Sequence, residues 1–169
     1  MLKVVVMGVS GSGKTSVGQA LASHLSATFI EGDGLHTPVN VAKMSAGTPL
    51  TDSDRWPWLD AVGEELLLRS PAIASCSALR RRYRDRLRVA AGAELRFVFL
   101  SVDRSELARR MSSRANHFMP ASLLDSQLAT LEVPDDELDV LTLDASQPAG
   151  SVAEQAAAWL ESQPMEPLR

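Results

Sequence analysis

Short runs of consecutive apolar residues recur along this chain, and between them apolar positions fall three and four residues apart. The runs at 2–7, 28–31, 72–76, 95–101 and 139–143 read as strands, and helical spacing predicts helices over 14–25, 38–46, 53–68, 78–90, 103–112, 120–131 and 150–162. In the first helix Val17, Leu21 and Leu25 share a face. In 53–68 the inward stripe is Trp56, Trp58, Leu59, Val62 and Leu66, both tryptophans being read as core. Leu95, Phe97, Val98, Phe99 and Leu100 in 95–101, and Val140, Leu141 and Leu143 in 139–143, make short apolar runs without alternation, as strands buried on both faces should. Ala72-Ile73-Ala74-Ser75-Cys76 is small and only mildly apolar, and is assigned by its place in the alternation. Alternating strand and helix predict an α/β fold with a parallel five-stranded sheet flanked by helices and right-handed crossovers. Ligands in such sheets lie at the carboxyl ends of the strands, so the loops after residues 7, 31, 76, 101 and 143 should frame a site.

The first of those loops is chemically specific. Gly8-Val9-Ser10-Gly11-Ser12-Gly13-Lys14-Thr15 matches G-x-x-x-x-G-K-[ST] between a strand and a helix, the context this phosphate-binding motif requires. Glycines let the backbone turn its N–H groups onto phosphate oxygens. Lys14 follows the β- and γ-phosphates, the Thr15 hydroxyl can ligate Mg²⁺, and the helix N-terminus favours anions. Gly8, Ser10, Gly11, Ser12, Gly13, Lys14, Thr15 and Ser16 are therefore the expected ATP-binding positions of a P-loop NTPase.

A second constellation follows the second strand: Glu31-Gly32-Asp33-Gly34-Leu35-His36. Read alone, it is a Gly-Asp-Gly turn with solvated carboxylates. Beside a phosphate loop it suits a kinase acceptor site, with Asp33 orienting the acceptor hydroxyl and taking its proton, and Glu31 holding Mg²⁺ through water.

Composition narrows the setting. The 169 residues suit one domain, expected over 1–163 with a free tail at 164–169. No apolar stretch approaches a membrane span, the N-terminus leaves no room for a signal peptide, and the only cysteine, Cys76, has no disulfide partner, so a cytoplasmic protein is expected. Cys76 has no base beside it in sequence and reads as packing. His24, His36 and His117 lack clustered cysteines, which argues against structural zinc. Arg80, Arg81, Arg82, Arg84, Arg86 and Arg88 crowd one helix. A net charge of −4, the interrupting Asp85 and a single tyrosine argue against a nucleic-acid stripe. A solvated face, or arginines holding a carboxylate at the sheet edge, are the remaining readings.

Taken together, Gly8–Thr15, Glu31–His36, Asn40, Lys43-Met44, Gly47-Thr48-Pro49-Leu50 and Asp52-Ser53-Asp54-Arg55 with Pro57-Trp58-Leu59 resemble the P-loop gluconate kinases. The resemblance continues through Cys76-Ser77-Ala78-Leu79-Arg80, Tyr83–Arg88, Arg114, Asn116-His117-Phe118-Met119 and Gln127–Glu132, from Val4 to about Pro148. It implies the nucleoside-monophosphate-kinase and shikimate-kinase type of fold, with a moving lid placed at about 112–124. It also implies transfer from Mg-ATP to the terminal hydroxyl of D-gluconate, giving 6-phospho-D-gluconate. Similar kinases are often homodimers, although the sequence shows no interface. Two departures stand out: the segment between Trp58 and Cys76 is short, and Arg80 stands where lysine is common.

For that substrate, Arg55, Arg84 and Arg80 are the candidate cations for the carboxylate. His36 and His117 are the candidates for its hydroxyls, with capping of the lid helix as the other reading of His117. Arg114 would supply charge to the transferring group, and Arg110 would lie over adenine beside a wall formed by Asp144–Pro148. Catalysis is thus expected from Lys14, Asp33 and Arg114. Two other classes remain: a shikimate-type or nucleotide kinase on the same fold, and a nucleotide-dependent switch. The switch reading lacks any Asn-Lys-x-Asp guanine motif.

Overall fold

Strand β1 (Lys3–Met7) sits at the centre of a parallel sheet and is buried along its whole length, which is why it shows no alternation. In the computed structural model, which describes residues 1–113 and 121–163, β2 (Thr28–Glu31), β3 (Ala72–Ser75), β4 (Leu95–Ser101) and β5 (Val140–Asp144) complete the sheet. The order is β2-β3-β1-β4-β5, and every pairing is parallel. The connecting helices are α1 (Lys14–His24), α2 (Pro38–Ser45), α3 (Asp52–Leu68), α4 (Arg81–Ala91), α5 (Arg104–Ser112), α6 (Ala121–Thr130) and α7 (Ala149–Ser162).

Successive side chains of β1 point to opposite faces, so one short strand feeds two cores. Val5 and Met7 join Ala74 and Phe97 under Leu59, Val62 and Leu66 of α3 and Leu87 of α4. Val4 and Val6 join Ile73 and Val98 under Val17 and Leu21 of α1 and Val152 and Ala156 of α7. A third cluster, Val9, Leu79, Leu107 and Leu124, packs α5 and α6 beneath the phosphate loop. None of the described helices is long and apolar enough to cross a membrane.

Strand β3, small and only mildly apolar, is fully buried between β2 and β1. At its carboxyl end the backbone of β3 lies close against the residue that follows β2. A Cβ on Gly32 would lie 1.9 Å from the Ser75 carbonyl oxygen, so only glycine lets the end of β2 approach β3 this closely. Strand β5 departs from expectation: it is an edge strand and only partly covered, with no residue fully buried. Its apolar run serves both clusters, Val140 on one face and Leu143 on the other. Helix α4 starts three residues later than the spacing predicted. Ala78 takes a positive φ of 46° and Arg80 forms the N-cap, so residues 77–80 make a turn that no glycine or proline announces. Trp58 is core as expected, whereas Trp56 is half-buried and meets Tyr83 edge to face.

Candidate functional site

The phosphate loop leaves β1 at its carboxyl end and curls into α1 through Gly11 (φ 81°) and Gly13 (φ 96°), conformations that side-chain-bearing residues adopt only with strain. Lys14 Nζ donates to the Val9 carbonyl at 3.0 Å, folding the ammonium back across the loop. Ser12 Oγ is buried with no hydrogen-bond partner among the described residues, a polar atom in a cradle suited to an oxyanion. The Ser10 N–H donates to Gln127 Oε1 at 2.7 Å, so α6 holds the loop from the side.

A cleft of about 450 Å³ runs from Gly11, Gly13 and Ser16 to a wall made by Ala145–Ala149, the wall expected after β5. Arg109 and Arg110 line it from α5. Arg110 donates to the Gly11 and Ser12 carbonyls at 3.2 and 3.4 Å and to the Ala145 carbonyl at 2.5 Å, while Glu106 accepts from its Nε. Asp144 folds onto the Ser146 N–H and hydroxyl, which shapes the start of the wall.

On the other side of Lys14, the Thr15 hydroxyl donates to Glu31 Oε2 at 2.7 Å, and the Ser75 hydroxyl donates to Glu31 Oε1. Ser75 Oγ also accepts from the Gly32 N–H at 3.2 Å. Thr15, Glu31 and Ser75 thus place hard oxygen donors beside the phosphate loop, the donor type Mg²⁺ takes. No group of three or more His, Cys, Asp and Glu side chains gathers among the described residues, so such an ion would rely on phosphate oxygens and water for its remaining ligands.

Asp33 is exposed in the 3₁₀ turn Gly32–Leu35, and His36 follows it. The His36 ring stacks on Trp58 with centroids 4.0 Å apart, and Trp58 Nε1 donates to the Gly32 carbonyl at 2.8 Å. Burial holds His36 below its ordinary pKa, with Asp33 acting against the shift and Arg55 with it. Arg55 enters from the first turn of α3. Its Nη1 donates to the Leu50 carbonyl and to the Tyr83 hydroxyl, at 2.7 and 3.1 Å, and its guanidinium lies over the Tyr83 ring. Tyr83 in turn donates to Asp52 at 2.6 Å, and Arg82 pairs with the same carboxylate.

Arg84 corrects an expectation. It is not at the acceptor but sealed in the interior, 1% exposed, with every guanidinium nitrogen engaged by Glu137, the Ala78 carbonyl or the Glu132 carbonyl. Arg88 shares its face, as the spacing implied, but that face meets Glu137 and Asp139. Arg80 behaves differently: its Nε is buried and has no partner among the described residues. Of the expected lid, residues 114–120 lie outside the described residues, Arg114 and His117 among them, as does the tail 164–169. Cys76 is packing, and burial pushes its thiol up to about 12.

Sequence reasoning gave no role to Asn40, Gln127 or the Asp52–Tyr83 pair. Gln127 and Glu132 act through one helix end: Gln127 takes the Ser10 N–H, Glu132 N–H reaches the Leu79 carbonyl, and its carboxylate takes the Arg81 N–H. The phosphate loop and the turn before α4 are thereby clipped to a single segment.

Residues 4–134 match the family described as AAA domain. The chain is 50% identical to a gluconokinase of Gluconobacter oxydans, over 90% of this chain and 87% of that one. It is 42% identical to the thermosensitive gluconokinase of Escherichia coli, over 89% and 83% respectively. Among solved structures, a gluconokinase from Sinorhizobium meliloti superposes with a TM-score of 0.86 at 51% identity, covering 96% of this chain and 98% of that chain. A shikimate kinase from Aquifex aeolicus superposes at 0.59 with 14% identity, covering 95% and 96%, a likeness of fold alone.

Proposed function

The chain belongs to the gluconokinase family, and from that premise we propose how its residues divide the work of the reaction. It catalyses ATP-dependent phosphorylation of D-gluconate at its terminal hydroxyl, giving 6-phospho-D-gluconate. The observation that carries the assignment of roles is the Thr15–Glu31 hydrogen bond. It joins the phosphate loop to the segment bearing Asp33 and His36, so donor and acceptor share one edge of the sheet.

The nucleotide occupies the cleft, its base against Ala145–Ala149 beside Arg110 and its phosphates in the loop Gly8–Thr15 with Ser16. Lys14 follows the charge that builds on the γ-phosphoryl oxygens as the bond to the leaving group breaks. Thr15, and Glu31 through water, would hold Mg²⁺, which would supply charge neutralisation to the phosphates. Asp33 orients the terminal hydroxyl and accepts its proton late in a loose transition state. Arg55 holds the gluconate carboxylate, and Arg80, whose buried Nε has no partner among the described residues, is its second cation. His36 and His117 bind hydroxyls, and Arg114 adds charge to the transferring group. The lone, buried Cys76 accords with a reducing cytoplasm.

A coupled ADP assay at one ATP concentration, with gluconate, glucose, a shorter sugar acid and shikimate as acceptors, tests the reading. Gluconate gives the highest kcat/KM; a preference for shikimate overturns it.

A further inference from the structure

Asn40 is 2% exposed, a buried amide that phosphoryl transfer does not itself require. Its Nδ2 donates to the Asp54 carbonyl at 2.8 Å. That contact decides the orientation of the amide, because the flipped form would set two acceptor oxygens against each other. The second hydrogen on Nδ2 faces His36 Nδ1 at 3.3 Å. A nitrogen facing a donor must accept, so the His36 ring is neutral and carries its proton on Nε2.

The ring has little freedom to escape this arrangement. It lies 17° from the plane of Trp58, and the backbone N–H of Asn40 is itself tied to Thr37 Oγ1 at 3.2 Å. Among the described residues, no hydrogen bond is made by Nε2. Asp33 and Arg55 are the charged groups that act on the ring, in opposite directions.

We propose that Asn40 is a positioning residue that locks His36 in its Nε2–H tautomer, so that the open edge of the ring donates a hydrogen bond to an oxygen of the sugar-acid acceptor. The inference rests on the placement of His36 at the acceptor site. Asp33 can only take a hydrogen bond when ionised, and His36 can then only give one. The two side chains thus present opposite polarity to a polyhydroxylated chain. A sugar acid lacking the oxygen that His36 addresses would leave the Nε2–H without a partner, a loss that hydrogen-bonding sites penalise heavily.

The test reads the tautomer directly. Long-range proton–nitrogen correlation spectra of the ¹⁵N-labelled protein at about pH 7.5 report the protonation state of each imidazole, and His36→Gln assigns the signal. The expected pattern is Nε2–H, with resonances that move on saturation with gluconate. Asn40→Asp replaces the donor by an acceptor, so the proton should shift to Nδ1 or the ring should become cationic. In that variant kcat/KM for gluconate should fall about tenfold or more while KM for ATP stays within about twofold. An Nδ1–H or imidazolium pattern in the parent protein overturns the lock, with no variant needed. An Nε2–H pattern that gluconate does not perturb overturns the acceptor placement instead, so the two failures are distinguishable.

Discussion

Arg84 and Glu137 form an ion pair inside the protein, with side chains 1% and 3% exposed. Removing one partner leaves the other charged, desolvated and unpaired, so Arg84→Ala should cost about 3–5 kcal/mol of stability. Replacing both by apolar residues of similar volume should cost much less. Burial pushes the Glu137 carboxyl up, but Arg84 and Arg88 outweigh it and hold it below its ordinary 4.5. A depressed acid stabilises the fold above its unfolded pKa and loses that contribution as the pH falls through the folded value. Chemical denaturation of the parent and Glu137→Gln from neutral pH to well below 4.5 should therefore show the difference shrinking in acid.

Lys14 offers the sharpest test of the nucleotide side. Losing one preorganised donor to the transferring group costs about 10²–10³ in rate. Lys14→Ala should lose activity on that scale with its circular dichroism spectrum unchanged. Turnover within a few-fold of the parent would remove Lys14 from the chemistry.

Asp33→Asn keeps the size of the side chain and one acceptor oxygen but removes its charge. If Asp33 takes the proton, kcat should fall by about 10²–10⁴, the usual reach of general base catalysis, while KM for ATP changes little. Steady-state kinetics with gluconate saturating measures both. An unchanged kcat would leave Asp33 as a surface turn.

Arg55 is held by Leu50 and Tyr83, and Tyr83 by Asp52. Arg55→Ala should reduce kcat/KM for gluconate on the order of 10²-fold, as removal of one partner of a desolvated charge pair does. Tyr83→Phe should act in the same direction, more weakly, through KM for gluconate and not for ATP. Neutral glucose should be a very poor acceptor for the parent. Glucose turnover comparable to that of gluconate would show that the arginines do not read a carboxylate.

The elements were legible because periodicity reports burial, and burial makes the three-layered α/β/α sandwich. Strand β3 was legible only from its neighbours, since a strand buried on both faces and built of small residues carries no pattern of its own. The phosphate loop was legible because its chemistry is local in sequence. The partners of α4 were not. An i, i+4 spacing shows that Arg84 and Arg88 share a face, but nothing in that spacing says the face meets Glu137, 53 and 49 residues later on a loop. Asn40 was hidden for a similar reason: the contact with His36 is local, but what orients the amide is the Asp54 carbonyl, 14 residues on in α3.

Arg110 links the two walls of the nucleotide cleft with one side chain, reaching Gly11 and Ser12 with one nitrogen and Ala145 with another. It therefore works as a caliper. The gap between the phosphate loop and the segment after β5 is spanned by a single guanidinium. A substitution at this one position would release both jaws at once.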